Sequence, residues 1–435
     1  MKMARKFQIL GCFLLFVKMG FAQQRFSLSQ CIDYAYKQNF EVKLRELRFR
    51  QSENTLQQSQ KAIYPNLSGS FSQGINSGRS IDPFTNDFVQ RTISSNSLGA
   101  NANFTIFNGF SLKNQIIQNQ INAEADQVEI LRAKNELRIS VTLAYMQVLM
   151  NQELAKIAQE QIQNIQSQYE RVKALVNEGN MPKTNLIDLD AQLATAEFDA
   201  LNAKNAIEVS KLSLAQLMAF PNMLFEIENS SVEEKTVLLN DNYLQNILSS
   251  SAFQPSIKSA ELRVKSANIG IKLAEAGKYP NVSLGAGLGS AYSSAAAKEY
   301  NYFNQLGFNL NQFARLSINI PIFTNGQVQG RMATAQINQK ISLVQLSQTK
   351  LQLKQEIERV YLTTKIAQEK MSSAQKQISA QQIAYDSAKE RYLEGLLHTI
   401  ELNTFRINLE RAKSNLIQSK YEFYFRKIVL DYYSK

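Results

Sequence analysis

The 435-residue sequence has no tryptophan, one histidine, two cysteines and seven prolines. The single histidine, His398, excludes a histidine-rich metal site and leaves no support for a catalytic histidine. The scarcity of proline favours long helices, because proline disrupts a helix interior. The sequence also has no phosphate-binding loop and no nucleophile-elbow motif. We therefore predict that the protein is not an enzyme and has no cofactor and no metal site.

The N-terminal segment 1–22 has the pattern of a secretory signal peptide. Lys2, Arg5 and Lys6 precede a mostly apolar segment at residues 7–17, and Gly20-Phe21-Ala22 is a suitable cleavage sequence. We predict cleavage after Ala22. The alternative is an uncleaved anchor, but the apolar segment is shorter than the roughly 20 residues of a spanning helix.

Removal of this segment changes the charge and the cysteine count. The net charge falls from +11 to +7, and Cys31 remains as the one cysteine, so no internal disulfide can form. The basic residues are scattered along helices without interleaved aromatics, which predicts solvated helix faces and no nucleic-acid partner. After Ala22 no apolar run approaches the roughly 20 residues of a spanning helix, so strands would have to cross any membrane.

A short motif occurs twice and organises the chain. Tyr64-Pro65-Asn66-Leu67-Ser68 returns in the second half as Tyr279-Pro280-Asn281-Val282-Ser283. Each copy is followed by an Ile-Phe motif, at Ile106 and at Ile322, and then by a long helical segment. An internal duplication is therefore predicted. The protomer spans 23–435, with repeat one at 26–220, a connector at 221–240 and repeat two at 241–432.

Helical segments occupy most of the chain. One is predicted at 26–63, with Ser27 or Ser29 as its cap and Pro65 at its end. Residues 111–178 contain no proline or glycine over 68 positions, which is about 100 Å of helix. Glu178-Gly179 and Glu394-Gly395 mark turns at an offset of 216. The helix after each turn has a heptad seam, at Leu186, Leu189, Leu193, Ala196, Ala200, Ala203, Ile207, Ser210, Leu214 and Leu217, and at Leu402, Phe405, Leu409, Ala412, Leu416, Ser419, Phe423, Arg426 and Leu430.

Four segments alternate between apolar and polar residues and are predicted as strands. Polar loops are expected between them at 77–96 and 293–312, and a short edge strand at Val237–Leu239. The four strands are placed at about 65–76, 97–107, 281–292 and 314–323.

The length and two-sided pattern of these strands indicate transmembrane β-strands. Such strands have about 9–11 residues, apolar toward lipid and polar toward the lumen. An aromatic residue lies at the end of each strand that faces one rim, which is typical of a membrane-interface girdle. These residues are Tyr64, Phe107, Tyr279 and Phe323. The alternative is two soluble hairpins packed on a core. Four strands cannot close a barrel, so a barrel must be shared between chains, giving eight strands from two chains or twelve from three.

The ordered, duplicated set of motifs resembles TolC-type outer-membrane efflux proteins over residues 26–432. It comprises the Tyr-Pro-Asn strand openings, the Ile-Phe exits, the segments from Tyr169 and Tyr385 to the tip turns, and the heptads. The resemblance implies a mainly α-helical protomer with long hairpins in a periplasmic α-barrel and four strands in a shared 12-stranded outer-membrane barrel. It also implies a homotrimer in outer-membrane lipid, docked to a periplasmic adaptor protein and an inner-membrane transporter.

The resemblance also implies that the helical tips form the periplasmic aperture and the adaptor-docking site. Tyr392 resembles the gate tyrosine of the family, and Glu401 resembles one position of its acidic ring. The position two residues beyond Gly395, often an arginine in the family, is Leu397 here. In the first repeat the matching acidic position is Asn185, with Asp188 three residues on, so the expected ionic lock is weaker or differently built. The alternative explanation for Glu401 and Asp188 is that they are ordinary acidic residues in the first turn of a helix, where the helix dipole favours negative charge. The tip residues are thus Glu178, Gly179, Asn185, Asp188, Tyr392, Glu394, Gly395 and Glu401.

The function implied is a passive outer-membrane duct of a tripartite efflux or type I secretion system, extending into the periplasm. A structural or adhesive coiled-coil surface protein is the second hypothesis. A periplasmic adaptor is the third, and it ranks lower because no compact β domain is predicted.

Overall fold

A computed structural model describes residues 24–81, 86–221, 225–228, 241–296 and 300–434. The expected signal peptide with its cleavage site, and the expected edge strand Val237–Leu239, lie outside these residues. Within the described part of the chain, no helix is both long and apolar enough to span a membrane.

The chain is mainly helical, and its two halves have matching elements. The first half contains β1 (Gln24–Phe26), α1 (Leu28–Gln38), α2 (Phe40–Lys61), β2 (Asn66–Asn76), β3 (Arg79–Ile81), β4 (Phe88–Gln90), β5 (Ile93–Asn108), α3 (Ser111–Asn177) and α4 (Thr184–Met218). The remainder contains β6 (Phe225–Ile227), α5 (Asp241–Ser250), α6 (Pro255–Glu275), β7 (Asn281–Ser293), α7 (Tyr302–Phe308), β8 (Asn311–Asn319), α8 (Gln327–Leu393) and α9 (Thr399–Tyr433). Helices α3 and α8 have 67 residues each, and α4 and α9 have 35 each. These equal lengths confirm the predicted duplication.

The residues divide into two compact units: Met1–Glu46 with Glu129–Pro255 and Lys350–Lys435, and Leu47–Val128 with Ser256–Thr349. In the first unit, β1 pairs in parallel with β6, so the connector contributes a strand at a different place from the expected one. Phe26, Tyr145 and Phe225 are buried in its core. The Tyr145 hydroxyl donates to the Glu228 carbonyl at 2.6 Å, which ties α3 to the β6 end.

The helix expected at 26–63 is in fact two helices that meet at Asn39. The Asn39 backbone is extended, and its side-chain oxygen accepts from the Glu41 amide at 2.9 Å. Asparagine favours this break because its short side chain can cap a new helix. The start of α1 follows the prediction, since Ser27 caps it and its amide donates to the Gln30 side chain at 2.9 Å.

Cys31 is a free thiol in the core of the first unit, with no exposed surface. Burial raises its pKa to about 12, because the thiolate would lose its hydration. The thiol therefore stays protonated and unreactive at physiological pH.

The heptad seams coincide with packed helix faces. Every predicted seam residue of α4 and α9 is buried or half-buried. In α4, Leu189 and Ala196 pack against Ile165 and Val172 of α3, which forms the first helical hairpin.

The second unit contains one four-stranded antiparallel sheet in the order β2-β5-β7-β8. The β5–β7 pairing joins the strands of the two repeats edge to edge. The loop expected at 77–96 instead contains the short β3–β4 hairpin and the first residues of β5.

Two strand boundaries differ from the sequence expectation. β5 begins at Ile93 and not near 97, because polar residues such as Ser94 still pair with β2. β8 spans Asn311–Asn319, so it begins earlier than 314 and ends before Pro321, which lacks the amide that a ladder needs. The loop expected at 293–312 contains the helix α7.

A β-bulge changes the face on which one aromatic residue lies. Thr105 pairs with Ser283, and the next pair is Phe107 with Val282, so Ile106 is the extra residue. Phe107, and not Ile106 as the simple alternation predicted, therefore continues the apolar face of β5.

We predict that Gly109→Ala destabilises the fold more than Gly326→Ala. Both glycines have positive φ, at 64° and 75°, and alanine there costs roughly 1–2 kcal/mol. A Cβ on Gly109 would also lie 2.5 Å from the Ala276 carbonyl oxygen, whereas Gly326 has open space. Thermal unfolding of the two purified variants measures the difference. Equal midpoints would contradict the close approach at Gly109.

Candidate functional site

The two hairpin turns of the first unit have the same backbone geometry. Asn180 donates to the Leu175 carbonyl at 2.9 Å, and Gly179 donates to Val176 at 3.1 Å. In the second repeat, Leu396 donates to the Arg391 carbonyl at 2.9 Å, and Gly395 to Tyr392 at 3.1 Å, at the same register offset of 216. Both are Schellman turns, which satisfy the last carbonyls of a helix.

The backbone conformation of these turns favours glycine, whereas the surrounding atoms would leave room for a larger side chain. Gly179 and Gly395 both have φ of 77°, and a Cβ on either would meet no atom within 4 Å. The adjoining Glu178 and Glu394 are exposed. The Asn180 side chain donates to Glu178 at 3.3 Å.

The helices that follow the turns begin differently in the two repeats. In α9, the Glu401 carboxylate accepts from the His398 amide at 3.0 Å, and thus stabilises the helix N-terminus. In α4, Lys183 precedes the helix and makes no side-chain cap. Glu401 therefore caps α9, and its role in the gate stays a prediction. Asp188 is exposed on the first turns of α4.

A groove of about 420 Å³ lies between the tips of the two hairpins. Asn185 and Met181 line it from the first repeat, and Tyr392, Leu397 and His398 line it from the second. Of the predicted tip residues, Asn185, Tyr392 and Gly395 thus come together. The four acidic tip residues do not line this groove. They are exposed to solvent, and they are Glu178, Asp188, Glu394 and Glu401.

Behind the tips lies a polar centre that the sequence interpretation missed. Arg406 of α9 is only 4% exposed. Its guanidinium donates to Gln168 of α3 at 3.2 Å, to Gln192 of α4 at 2.7 Å, and also to Asn403. The network therefore connects α9 to both helices of the first hairpin.

No carboxylate contacts the Arg406 guanidinium in these bonds, and among the described residues its Nε has no partner. Burial lowers the pKa of the Arg406 guanidinium, whereas the nearby Tyr385 and Glu410 act to raise this pKa. The sequence contained a signal for this buried position. Arg406 lies four residues after Leu402 and three before Leu409, so helical spacing places it on the seam face.

The predicted girdle residues lie at one end of the sheet in the second unit. β2 and β7 begin at this end and β5 and β8 finish there. Tyr64, Tyr279 and Phe323 are exposed, although Phe323 lies beyond β8. The Phe107 ring packs edge-on against Phe110 at 5.2 Å.

The two faces of the sheet differ in chemistry. One face has a nearly continuous apolar surface, which includes the cross-strand pairs Phe71–Leu98, Phe104–Leu284 and Leu284–Leu316. The opposite face includes Asn101, Gly287 and Phe313 in one cross-strand row. A Cβ on Gly287 would lie 2.7 Å from the Phe313 ring, so glycine makes room for this ring.

Among the described residues, no group of three or more His, Cys, Asp or Glu side chains could hold a metal ion.

The family model of outer membrane efflux proteins matches residues 31–219 and 247–429. The chain is 21% identical over 398 residues to outer membrane efflux protein BepC of Brucella suis biovar 1 (strain 1330), covering 91% of this chain and 82% of that protein. It is 25% identical over 408 residues to the probable outer membrane lipoprotein SilC of Salmonella typhimurium, with 91% and 82% covered.

The fold is likewise similar to that of solved channels. The Campylobacter jejuni CmeC outer membrane channel superposes with a TM-score of 0.78 at 17% identity, covering 94% of this chain and 85% of that one. The matched regions include both helical hairpins and the strands of both repeats, and the family model itself matches most of the chain. The chain therefore belongs to the outer membrane efflux protein family.

Proposed function

We propose that three copies of this chain form a passive exit duct through the outer membrane. Their strands form a shared twelve-stranded barrel, and their helical hairpins form the periplasmic part. An inner-membrane transporter delivers the cargo through a periplasmic adaptor protein. The duct carries out no chemical reaction and needs no cofactor.

The two-faced sheet is the observation that carries this proposal. Leu67, Phe71 and Ile75 of β2 have 76%, 65% and 72% of their surface exposed. Leu316 and Ile318 of β8 are each 59% exposed on the same face. So large an apolar surface is unfavourable in water and suits lipid.

The strand order requires more than one chain. β2 and β8 are the outer strands of the sheet, so among the described residues each has one unpaired edge. An unpaired edge in hydrocarbon costs several kcal/mol for each backbone group. Pairing β8 of one copy with β2 of the next removes both edges. Two copies give eight strands, whose interior is filled by side chains, whereas three give twelve and leave room for a lumen.

In this proposal the tips close the periplasmic end, and the Arg406 network takes the role of the ionic lock. Its bonds to Gln168 and Gln192 hold α9 against the first hairpin. Tyr392 and Asn185 lie on the groove in front of it. The exposed Glu178 and Glu394 are available to an adaptor at the outermost turns.

Family membership favours this function over the other hypotheses. A structural or adhesive surface protein needs the helical seams but has no use for a lipid-facing sheet. A periplasmic adaptor would likewise leave the apolar face of β2 and β8 in water. The predicted cleavage after Ala22 is consistent with export to the outer membrane.

We predict that Leu316→Lys prevents insertion into the outer membrane, whereas Ser317→Lys does not. The two residues are neighbours in β8 and lie on opposite faces. Lysine toward lipid costs about 2–4 kcal/mol in each chain. Membrane fractionation measures how much of each variant reaches the outer membrane, and gel electrophoresis of unheated samples measures how much of it forms a stable trimer. Normal insertion of both variants would contradict a lipid-facing Leu316.

For the gate, we predict that Arg406→Ala opens the duct and that Arg411→Ala, an exposed arginine on the same helix, does not. Hydrogen bonds to charged groups contribute about 1.5–3 kcal/mol, so the open-to-closed ratio should rise about tenfold or more. Conductance of purified protein in planar bilayers measures it. Equal conductance of the two variants, both assembled as trimers, would exclude a gating role for Arg406.

A photo-crosslinking residue at position 394 is expected to capture a periplasmic adaptor, identified by mass spectrometry. The same residue in place of Lys340, an exposed position on α8, is the control and should not capture it. The tip is the outermost part of the hairpin and its glutamate is exposed. Capture at position 340 but not at 394 would contradict docking at the tips.

A further inference from the structure

The segment between β7 and β8 was expected to be a polar loop but contains the helix α7. Asn301 starts it by accepting from the Asn304 amide at 2.8 Å, and Asn309 caps its end. The segment carries several aromatic residues, and their position at the end of the sheet away from Tyr279 suggests a function.

Helix α7 is held firmly against the end of β7. The Ser290 hydroxyl donates to the Leu306 carbonyl at 2.6 Å, and the Asn309 side chain donates to the Ala291 carbonyl at 2.7 Å. Gln305, only 2% exposed, accepts from the Ser293 amide at 2.9 Å. These bonds fix both the position and the rotation of the helix.

The helix covers the polar end of the apolar sheet face. Ser290 and Tyr292 alternate in register with Leu284 and Leu288, so all four lie on that face. The Tyr292 and Tyr302 rings pack at 5.0 Å. The apolar face therefore continues from strand side chains onto the outer surface of α7.

That outer surface carries large apolar side chains on either side of the exposed Asn304, and the described residues leave them largely uncovered. Phe303 is 80% exposed and Phe308 is 71% exposed, and Leu310 after the helix is 51% exposed. Burying one such side chain is worth about 1.5–3 kcal/mol. Their exposure is therefore costly unless another apolar phase covers them.

The spacing along β7 matches the thickness of a membrane. Val282 and Ser290 are eight residues apart, about 27 Å along a strand and about 21 Å along the normal at the usual tilt. Outer-membrane barrels have an apolar band about 25 Å tall with aromatic girdles on both sides. Tyr64 and Tyr279 lie at one end of this distance, and α7 lies at the other.

We infer that α7 is an interfacial anchor whose Phe303 and Phe308 side chains insert into the outer-leaflet lipid at the boundary of headgroups and acyl chains. This inference rests on the proposed insertion of the sheet. It assigns to the 300–310 segment a membrane contact of its own, as amphipathic surface helices make. Tyr302, packed on the strand, orients the helix so that its phenylalanines face outward.

The absence of tryptophan from the chain allows a direct test. Phe303→Trp introduces the one tryptophan of the chain, which is excited selectively over its 17 tyrosines, and the trimer is reconstituted into phosphatidylcholine vesicles brominated at a shallow acyl position. We expect the bromolipid to reduce its emission about twofold, because an interfacial helix buries its apolar side chains roughly 5–10 Å into the boundary of headgroups and acyl chains, close to the bromines. Phe198→Trp, an exposed position on α4, serves as the control and should not be quenched.

A third variant, Leu316→Trp, separates the failure of this inference from failure of the proposed function. If Leu316→Trp is quenched by bromolipid and Phe303→Trp is not, the sheet inserts but α7 does not contact lipid. Iodide quenching of Phe303→Trp would then mean exposure to water, and no quenching would mean cover by a neighbouring copy. If neither variant is quenched, the proposed insertion itself is wrong.

Discussion

The constraint on which the proposed assembly depends is backbone hydrogen bonding in a sheet that has one apolar face. β5 and β7 are paired on both sides, but within the described chain β2 and β8 each keep one free edge. In water such edges are solvated, whereas in hydrocarbon they must be paired. In the proposed membrane-inserted duct, a lipid-facing surface and an unpaired edge cannot coexist, and further copies of the chain would complete the sheet.

The duplication preserves backbone geometry more strictly than side-chain chemistry. The turns at Gly179 and Gly395 have the same φ and the same two hydrogen bonds. By contrast, the following helix is capped by Glu401 in one repeat and lacks a side-chain cap in the other. Turn geometry is set by the conformational freedom of glycine, so it persists while neighbouring positions acquire separate roles.

Behind the tips, polar links join three helices without an ion pair. Arg406 is buried and bonded to neutral amides of Gln168 and Gln192. A buried guanidinium without a carboxylate retains much of its desolvation cost, so this cost offsets part of the stability that the hydrogen bonds of Arg406 provide. In the proposed duct, such a link suits a contact that separates on opening. The proposed α7 anchor, by contrast, is bonded firmly to β7.

Local pattern alone determined the long helices, the tip turns, the heptad seams and the four two-faced strands, because periodicity and glycine or proline signals act within a few residues. The tertiary structure decided what depends on distant partners. The bulge at Ile106 exists only in the pairing of β5 with β7, and the parallel β1–β6 pair joins Gln24–Phe26 to the distant segment Phe225–Ile227. Arg406 and α7 were not recognised for the same reason: a charged residue on a seam, or an aromatic segment between strands, acquires its role from the elements that fold against it.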